Sequence, residues 1–428
     1  MTATSTDALR QTQDPSSRAG LSVVQGTALC VGAVLGTGVI TLPAVAAGIA
    51  GPASLIAWMI MVALSVPLAS TFAALGARHP DAGGVATYAR RAFGGRAATV
   101  VGWVFYFAIP VGAPAAAMMA GNYVADALGG GRTVAVLVGY GLIAVVLIMN
   151  ALGLRISGRV QLGLTGALAL IMTITIITAL PHARLSNLTP FAPHGWAAIG
   201  PAAAVLVWGF AGWEAVTSLS AEYRRPDRDV LRATAAAITI VAVLYLGLAT
   251  TALLVLGRAA GSSTAPLSDV LAIGIGGRVR IVTALVAVLL TIGAMNAYFA
   301  GGSKLGAALG RDGGLPAWIG RGSAVGEIPR RSTLITGGLA TISQTVAVVF
   351  RLDVTDLVLL TTGAFTLVYV FGTAAAVRLL PRRTVGWWTA IIALASVLVL
   401  AVLTGMHLVW ALAVAVAAYG YARVSRRR

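Results

Sequence analysis

The sequence predicts an all-α integral membrane protein with about twelve transmembrane helices. Three observations carry that reading. Hydrophobic residues make up 58% of the 428 and charged residues only 10%, too few to cover a water-facing surface, since soluble domains carry about 25%. The charged residues bracket ten long stretches free of Asp, Glu, Lys and Arg, each near or above the roughly 20 residues that a helix needs to cross the hydrocarbon core. Within these stretches the apolar residues run continuously instead of alternating, which argues against a β-barrel.

In chain order, residues 19–77 hold spans 1 and 2, divided at Ala47-Gly48-Ile49-Ala50-Gly51-Pro52, a Gly/Pro turn signal. Spans 3 to 10 follow singly at 97–125, 133–154, 160–181, 185–213, 233–257, 281–303, 332–350 and 357–377. Residues 384–422 hold spans 11 and 12, divided near Gly405-Met406-His407, with the last helix short. Residues 1–20 are Ser/Thr/Asp-rich and lack an apolar core, so they read as a disordered cytoplasmic tail and not as a cleaved signal peptide.

Cationic residues favour the cytoplasmic side of short loops. With the N-terminus inside, only Arg132, Arg184, Arg258, Arg278, Arg280 and Arg351 of the 30 basic residues fall outside, which leaves 24 inside. Both termini are therefore expected in the cytoplasm. The net charge of +17 follows from topology and attraction to anionic lipid, so it calls for a bilayer and not for nucleic acid. The single cysteine, Cys30, excludes an intramolecular disulfide, and the four scattered histidines show no metal-ligand spacing. No cofactor is implied.

Two spans contain sequence that a continuous helix would avoid. Span 1 carries Gly32, Gly36, Gly38 and Pro43 near mid-membrane, and span 6 carries Trp208-Gly209-Phe210-Ala211-Gly212-Trp213-Glu214. Either cluster alone could serve helix packing. Span 6 comes five spans after span 1, however, and a repeat of odd length inserts upside down. Broken helices at matching positions of two inverted halves point to a transporter's midplane site. Where span 1 unwinds, free N–H groups near Thr37 and Gly38 suit a carboxylate. Carbonyls near Val34 and Leu35, and near Trp208 and Ala211, suit an ammonium, while Gly36 and Gly209 leave the backbone open to close approach. An α-amino acid has both groups.

Apart from Glu214, no charged side chain lies inside any span, so nothing pairs with an ionic substrate side chain and the substrate is expected to be neutral. Further lining candidates are Phe210 and Trp213 in span 6, Tyr106 and Pro110 in span 3, and Met295, Asn296 and Tyr298 in span 8. A carboxyl group at that depth is expensive to ionise and usually marks an ion or substrate pathway. Glu214 is thus the candidate for proton coupling, against the plainer role of hydrogen-bonding the broken helix.

The ordered motifs GTGVI at 36–40, HPDAGGVATYARRAFG at 79–94, GFAGWEA at 209–215 and AEYRRPDRDVLRA at 221–233 resemble the amino acid/polyamine/organocation (APC) transporters over about residues 20–380. The resemblance implies a LeuT-like fold: a first five-helix repeat at 21–181, a second, inverted one at 182–380, and two extra helices with a basic tail at 381–428. It also implies that Thr37 and Gly38 hold the substrate carboxylate and that Trp208, six positions before Glu214, packs on the substrate. IPVGAPAA at 109–116, LGTGV at 35–39 and AGGVA at 82–86 look most like bacterial methionine and branched-chain amino-acid exporters. Many proton-coupled relatives carry a lysine in span 5, and here 160–180 has none.

The connections after spans 2 and 6 are either solvated charge runs or an inner gate in which Glu222, Asp227 and Asp229 exchange ion pairs with Arg90, Arg91 and Arg224. An importer or exchanger of the same fold, or a transporter-like sensor, would share most of these features. A membrane enzyme would show a convergent set of His, Asp, Glu or Ser near one face, and none is evident. A P-loop is absent too. Monomer and homodimer both remain open.

Overall fold

A computed structural model describes residues 21–79, 84–154, 156–214, 223–321 and 328–425. Among these residues the architecture is helical throughout, apart from one isolated parallel bridge between Leu21 and Tyr223. Span 1 is two helices, α1 (Val23–Val34) and α2 (Gly38–Ala50). Ser22 and Gln25 start α1 with a capping box, each side chain accepting from the other's backbone N–H. A 3-10 turn at Gly51–Ala53, with Gly51 at φ +60°, leads into α3 (Ser54–Arg78). The expected turn therefore forms where Gly51 supplies a left-handed conformation.

Helix α4 (Gly84–Phe93) lies in the connection that the sequence marks as basic. It buries Val85, Tyr88, Ala89 and Ala92, one face at the i, i+3, i+4, i+7 spacing. The 34 residues of α5 (Gly95–Leu128) extend for about 51 Å, and this helix packs against α4, α6 (Arg132–Ala151), α11 (Val279–Arg311), α12 (Arg330–Val349), α13 (Val354–Leu379) and α15 (Val409–Ser425). The others are α7 (Gly158–Ala179), α8 (Ile199–Phe210), α9 (Pro226–Leu256), α10 (Pro266–Ile275) and α14 (Val385–Thr404).

Burial is arranged for lipid and not for water. Helix α7 buries Thr165, Leu168, Met172, Thr175 and Ala179 and turns Leu170, Ile174 and Ile177 outward. Lipid is as apolar as leucine, so small and hydroxylated residues mediate close helix contact while large aliphatics face the chains. Polar side chains act as glue inside. Asn150 on α6 donates to Asn296 on α11 at 2.7 Å, and Asn296 donates to the Leu154 carbonyl at 3.4 Å. Tyr106 meets Ser332 and Thr336 on α12 at 3.4 and 3.3 Å.

Among the described residues, nine helical segments are long and apolar enough to cross a membrane. Two of them, Gly38–Arg78 and Val385–Val424, are 41 and 40 residues long and run through the turns at Gly51–Ala53 and Gly405–Leu408. Spans 1 and 6 are represented at their breaks by the shorter apolar helices Val23–Val34 and Trp196–Phe210.

Candidate functional site

Span 1 unwinds over Leu35, Gly36 and Thr37. The chain leaves α1 through Leu35 N–H to Val31 O at 2.7 Å and Gly36 N–H to Val34 O at 2.8 Å. Helix α2 then starts at Gly38 with Thr37 as an N-cap whose side chain makes no capping bond, so its first amides carry the helix's positive end without side-chain cover. Span 6 ends its helical part at Phe210, with Ala211 extended and Gly212 at φ +124°. A Cβ on Gly212 would run into the Ala33 carbonyl, 2.8 Å from its carbon. The two breaks are therefore interlocked, and at that contact only glycine fits.

Tyr245 on α9 braces both breaks. Its hydroxyl points at Gly209 O at 2.7 Å and Val34 O at 3.0 Å. Val34 O also accepts from Gly36 N–H, and the Tyr245 hydroxyl, with one hydrogen to give, serves the Gly209 and Val34 carbonyls one at a time. Gly209 sits behind the break, where a Cβ would lie 2.8 Å from Leu42 Cδ1. Gly38 also packs on protein, with the Trp208 indole Nε1 3.0 Å from where its Cβ would be. Gly36 alone of these glycines faces open space, with Val34 O at 4.0 Å as its nearest neighbour.

A cavity of about 920 Å³ opens beside the breaks, at the upper end of the size of small-molecule sites. Val34, Leu35, Gly36, Thr37, Gly38, Trp208, Ala211 and Glu214 all line it. Phe105 and Gly112 of α5, Gln161 and Thr165 of α7, Met295 and Tyr298 of α11, and Thr361 and Phe365 of α13 complete the wall around them. At one end it reaches Gly84 of α4, the exposed Gly158 that starts α7, and the exposed Lys304 near the end of α11. The basic connections gather at that same end.

The other end is closed. The Tyr123 hydroxyl donates to Ile40 O at 2.5 Å and accepts Leu267 N–H at 3.1 Å, joining α2, α5 and α10. Beyond it Arg280 bonds Asp126 and holds Asp269 at 2.9 Å, while Ser268 donates to Asp126 at 3.0 Å and Ser263 to Asp269 at 2.6 Å.

Glu214 lies at the span 6 break on the cavity wall. Its Oε2 accepts Gly212 N–H at 2.9 Å and the Tyr369 hydroxyl at 2.7 Å. The carboxyl group thus ties the broken segment to α13, accepting both bonds on one oxygen.

Several lining candidates turn elsewhere. Phe210 packs on Trp58 and Tyr245 with ring centroids 6.1 and 5.2 Å apart. Tyr106 and Asn296 make the interhelical bonds described above, and Phe210, Trp213, Tyr106, Pro110 and Asn296 are not among the wall residues. Met295 and Tyr298 are. In the basic connections, Arg90 pairs with Asp312 at 3.2 Å, both more than half exposed, a pair of small net worth. Arg91 and Arg224 are exposed and Asp229 is half-buried. Arg224 N–H bonds Leu21 O at 3.3 Å and Asp229 N–H bonds Arg225 O at 2.8 Å. Glu222 and the side chain of Asp227 lie outside the described residues.

A sequence profile of the family described as amino acid permease matches residues 21–425. An amino acid permease of Bacillus subtilis, YecA, is 32% identical over 409 residues, covering 95% of this chain and 96% of its own. The L-methionine/branched-chain amino acid exporter YjeH of Escherichia coli is 35% identical over 231 residues, 53% of this chain and 54% of its own. A transporter of Mycobacterium tuberculosis, Rv1999c, is 27% identical over 427 residues, 96% of this chain and 93% of its own.

Proposed function

The chain belongs to the amino acid permease family, and from that premise we propose that it is a secondary active transporter of neutral, apolar amino acids that exports methionine and branched-chain amino acids across the cell membrane in response to a proton gradient. One observation carries the reading: the breaks at Leu35–Thr37 and Ala211–Gly212 face one cavity. The uncapped amides that begin α2 take the substrate carboxylate. The carbonyls of Val34, Leu35, Trp208 and Ala211 take the ammonium. Apolar wall residues such as Phe105, Met295 and Phe365 leave an aliphatic or thioether side chain in surroundings that suit it, and the likeness to the exporter YjeH supports that substrate class.

In this reading the nine long segments and the broken spans resolve into twelve crossings of a LeuT-like fold. Residues 21–181 and 182–380 are the inverted repeats, and 381–428 add two helices and a cytoplasmic tail. Both termini are cytoplasmic, so the cavity opens inward while the Tyr123 and Arg280 contacts seal the outside. Substrate loaded from the cytoplasm is released outward once the seal opens and the basic connections close. Glu214 carries the proton, and Arg90, Arg91, Arg224, Glu222, Asp227 and Asp229 belong to the inner gate, with Asp312 added as the partner of Arg90.

The test is flux of labelled methionine, leucine, alanine and arginine in proteoliposomes, with and without an imposed pH gradient. Methionine and leucine flux that follows the gradient is expected. Flux restricted to arginine would overturn the substrate class, and neutral flux indifferent to pH would overturn the proton.

A further inference from the structure

The cavity wall carries two charged side chains among the described residues, Glu214 and Lys304. Glu214 is engaged by Gly212 and Tyr369. Lys304, the one lysine against 29 arginines in the chain, is different. It lies six residues beyond Tyr298 on α11, about 9 Å farther along the helix toward the open end. Its side chain is exposed, and the ion pairs of the described residues involve Arg90 and Arg280 with Asp312, Asp126 and Asp269 instead. An exposed ammonium outside these pairs, standing on the wall of a path to a binding site, acts through its field. A long flexible stem lets that charge follow whatever passes.

We propose that Lys304 is a specificity-determining residue: a charge filter on the open side of the cavity that turns away amino acids with cationic side chains and draws in the carboxylate of those admitted. The inference rests on the transport of neutral amino acids proposed above and adds to it the reason for exclusion of one charge sign. The apolar wall near the breaks disfavours any ion, cation or anion. Lys304 breaks that symmetry, because a fixed positive charge raises the cost of an approaching guanidinium and lowers that of a carboxylate. Neighbouring Leu305 and Ala308 on the same wall offer no opposing charge.

The experiment is labelled leucine counterflow in proteoliposomes containing wild type, Lys304→Gln, Lys304→Glu or Lys304→Arg, with unlabelled leucine, arginine and glutamate as competitors. The readout is the concentration for half inhibition by each charged competitor relative to that by leucine, so a change in overall rate cancels. In Lys304→Gln the ratio for arginine falls roughly three- to tenfold, the effect of one charge acting across about 7 Å of wet cavity, and the ratio for glutamate rises. Lys304→Glu moves both ratios further the same way, and Lys304→Arg keeps those of wild type. Leucine counterflow by wild type, together with ratios that stay fixed or move in the same direction for arginine and glutamate, overturns the filter and leaves the transport reading standing. Counterflow of arginine but not leucine by wild type overturns both.

Discussion

Tyr369 donates its hydroxyl to the same oxygen of Glu214 that accepts the Gly212 amide, at 2.7 and 2.9 Å. One carboxyl group therefore joins the span 6 break to α13, across 155 residues of sequence. This arrangement gives the two roles of Glu214 different signatures. Glu214→Gln retains hydrogen-bonding capacity and loses titration, so substrate exchange persists while its response to a pH gradient disappears. Tyr369→Phe removes the hydrogen bond to the carboxyl group, worth about 1.5–3 kcal/mol for a charge-assisted bond, and slows exchange about tenfold or more. The two substitutions share a contact, so the double variant loses less than the sum of the single losses. Additive effects on the exchange rate would separate Tyr369 from Glu214 in function.

The glycines of span 1 predict different outcomes. Gly36 faces open space, so Gly36→Val projects into the cavity without displacing protein, folds normally and abolishes leucine binding. Gly38 lies against Trp208 and Leu42, so Gly38→Leu has to push the indole aside and lowers stability as well. Calorimetric titration with leucine and thermal unfolding of both purified variants separate these effects. Full leucine affinity in a folded Gly36→Val would remove the break from the site.

How far the sequence reaches is visible at these positions. Glycine clusters at matching positions of spans 1 and 6 disclose the breaks, whereas single prolines do not, since helices run unbroken through Pro43, Pro67, Pro110 and Pro114. Eight of the nine binding and coupling residues chosen at the breaks line one cavity, with only Gly209 behind it. Side-chain direction is another matter. In a helix apolar on every side, periodicity does not say which face looks inward, so Phe210, Tyr106 and Asn296 read as wall residues and prove to be packing. Tyr245 and Tyr369 gave no local signal at all, because their partners Val34, Gly209 and Glu214 come from distant helices. Asp312 was likewise hidden, since an exposed charge at a helix end has many possible partners.

At the end of the molecule away from Lys304, Arg280 bridges Asp126 and Asp269, with the Asp126 side chain 18% and that of Arg280 33% exposed. Pairs held partly out of water are costly to break from one side. Arg280→Ala therefore loosens the seal and shifts the protein toward an outward-open form. In a Cys30→Ser background with Thr361→Cys on the cavity wall, an impermeant thiol reagent added outside labels the Arg280→Ala protein several times faster. Equal labelling with and without Arg280 would mean that the seal lies elsewhere.

Orientation is tested with single cysteines in the same Cys30→Ser background. Leu185→Cys, 79% exposed in the connection between α7 and α8, labels from outside in intact cells. Ala82→Cys, in the basic connection after span 2, labels only after permeabilisation. The reverse pattern would invert the topology and with it the direction in which the cavity opens.

The central claim is that the paired breaks hold both ends of a neutral zwitterion, and analogues lacking one end test it most directly. Inhibition of labelled leucine counterflow is measured with leucine, leucinamide, 4-methylvalerate and methionine as competitors in wild-type proteoliposomes. Leucine and methionine inhibit, while leucinamide, without the carboxylate, and 4-methylvalerate, without the ammonium, are each weaker by about tenfold or more, the loss of at least one charge-assisted hydrogen bond. Inhibition by leucinamide or 4-methylvalerate as strong as by leucine would contradict the account.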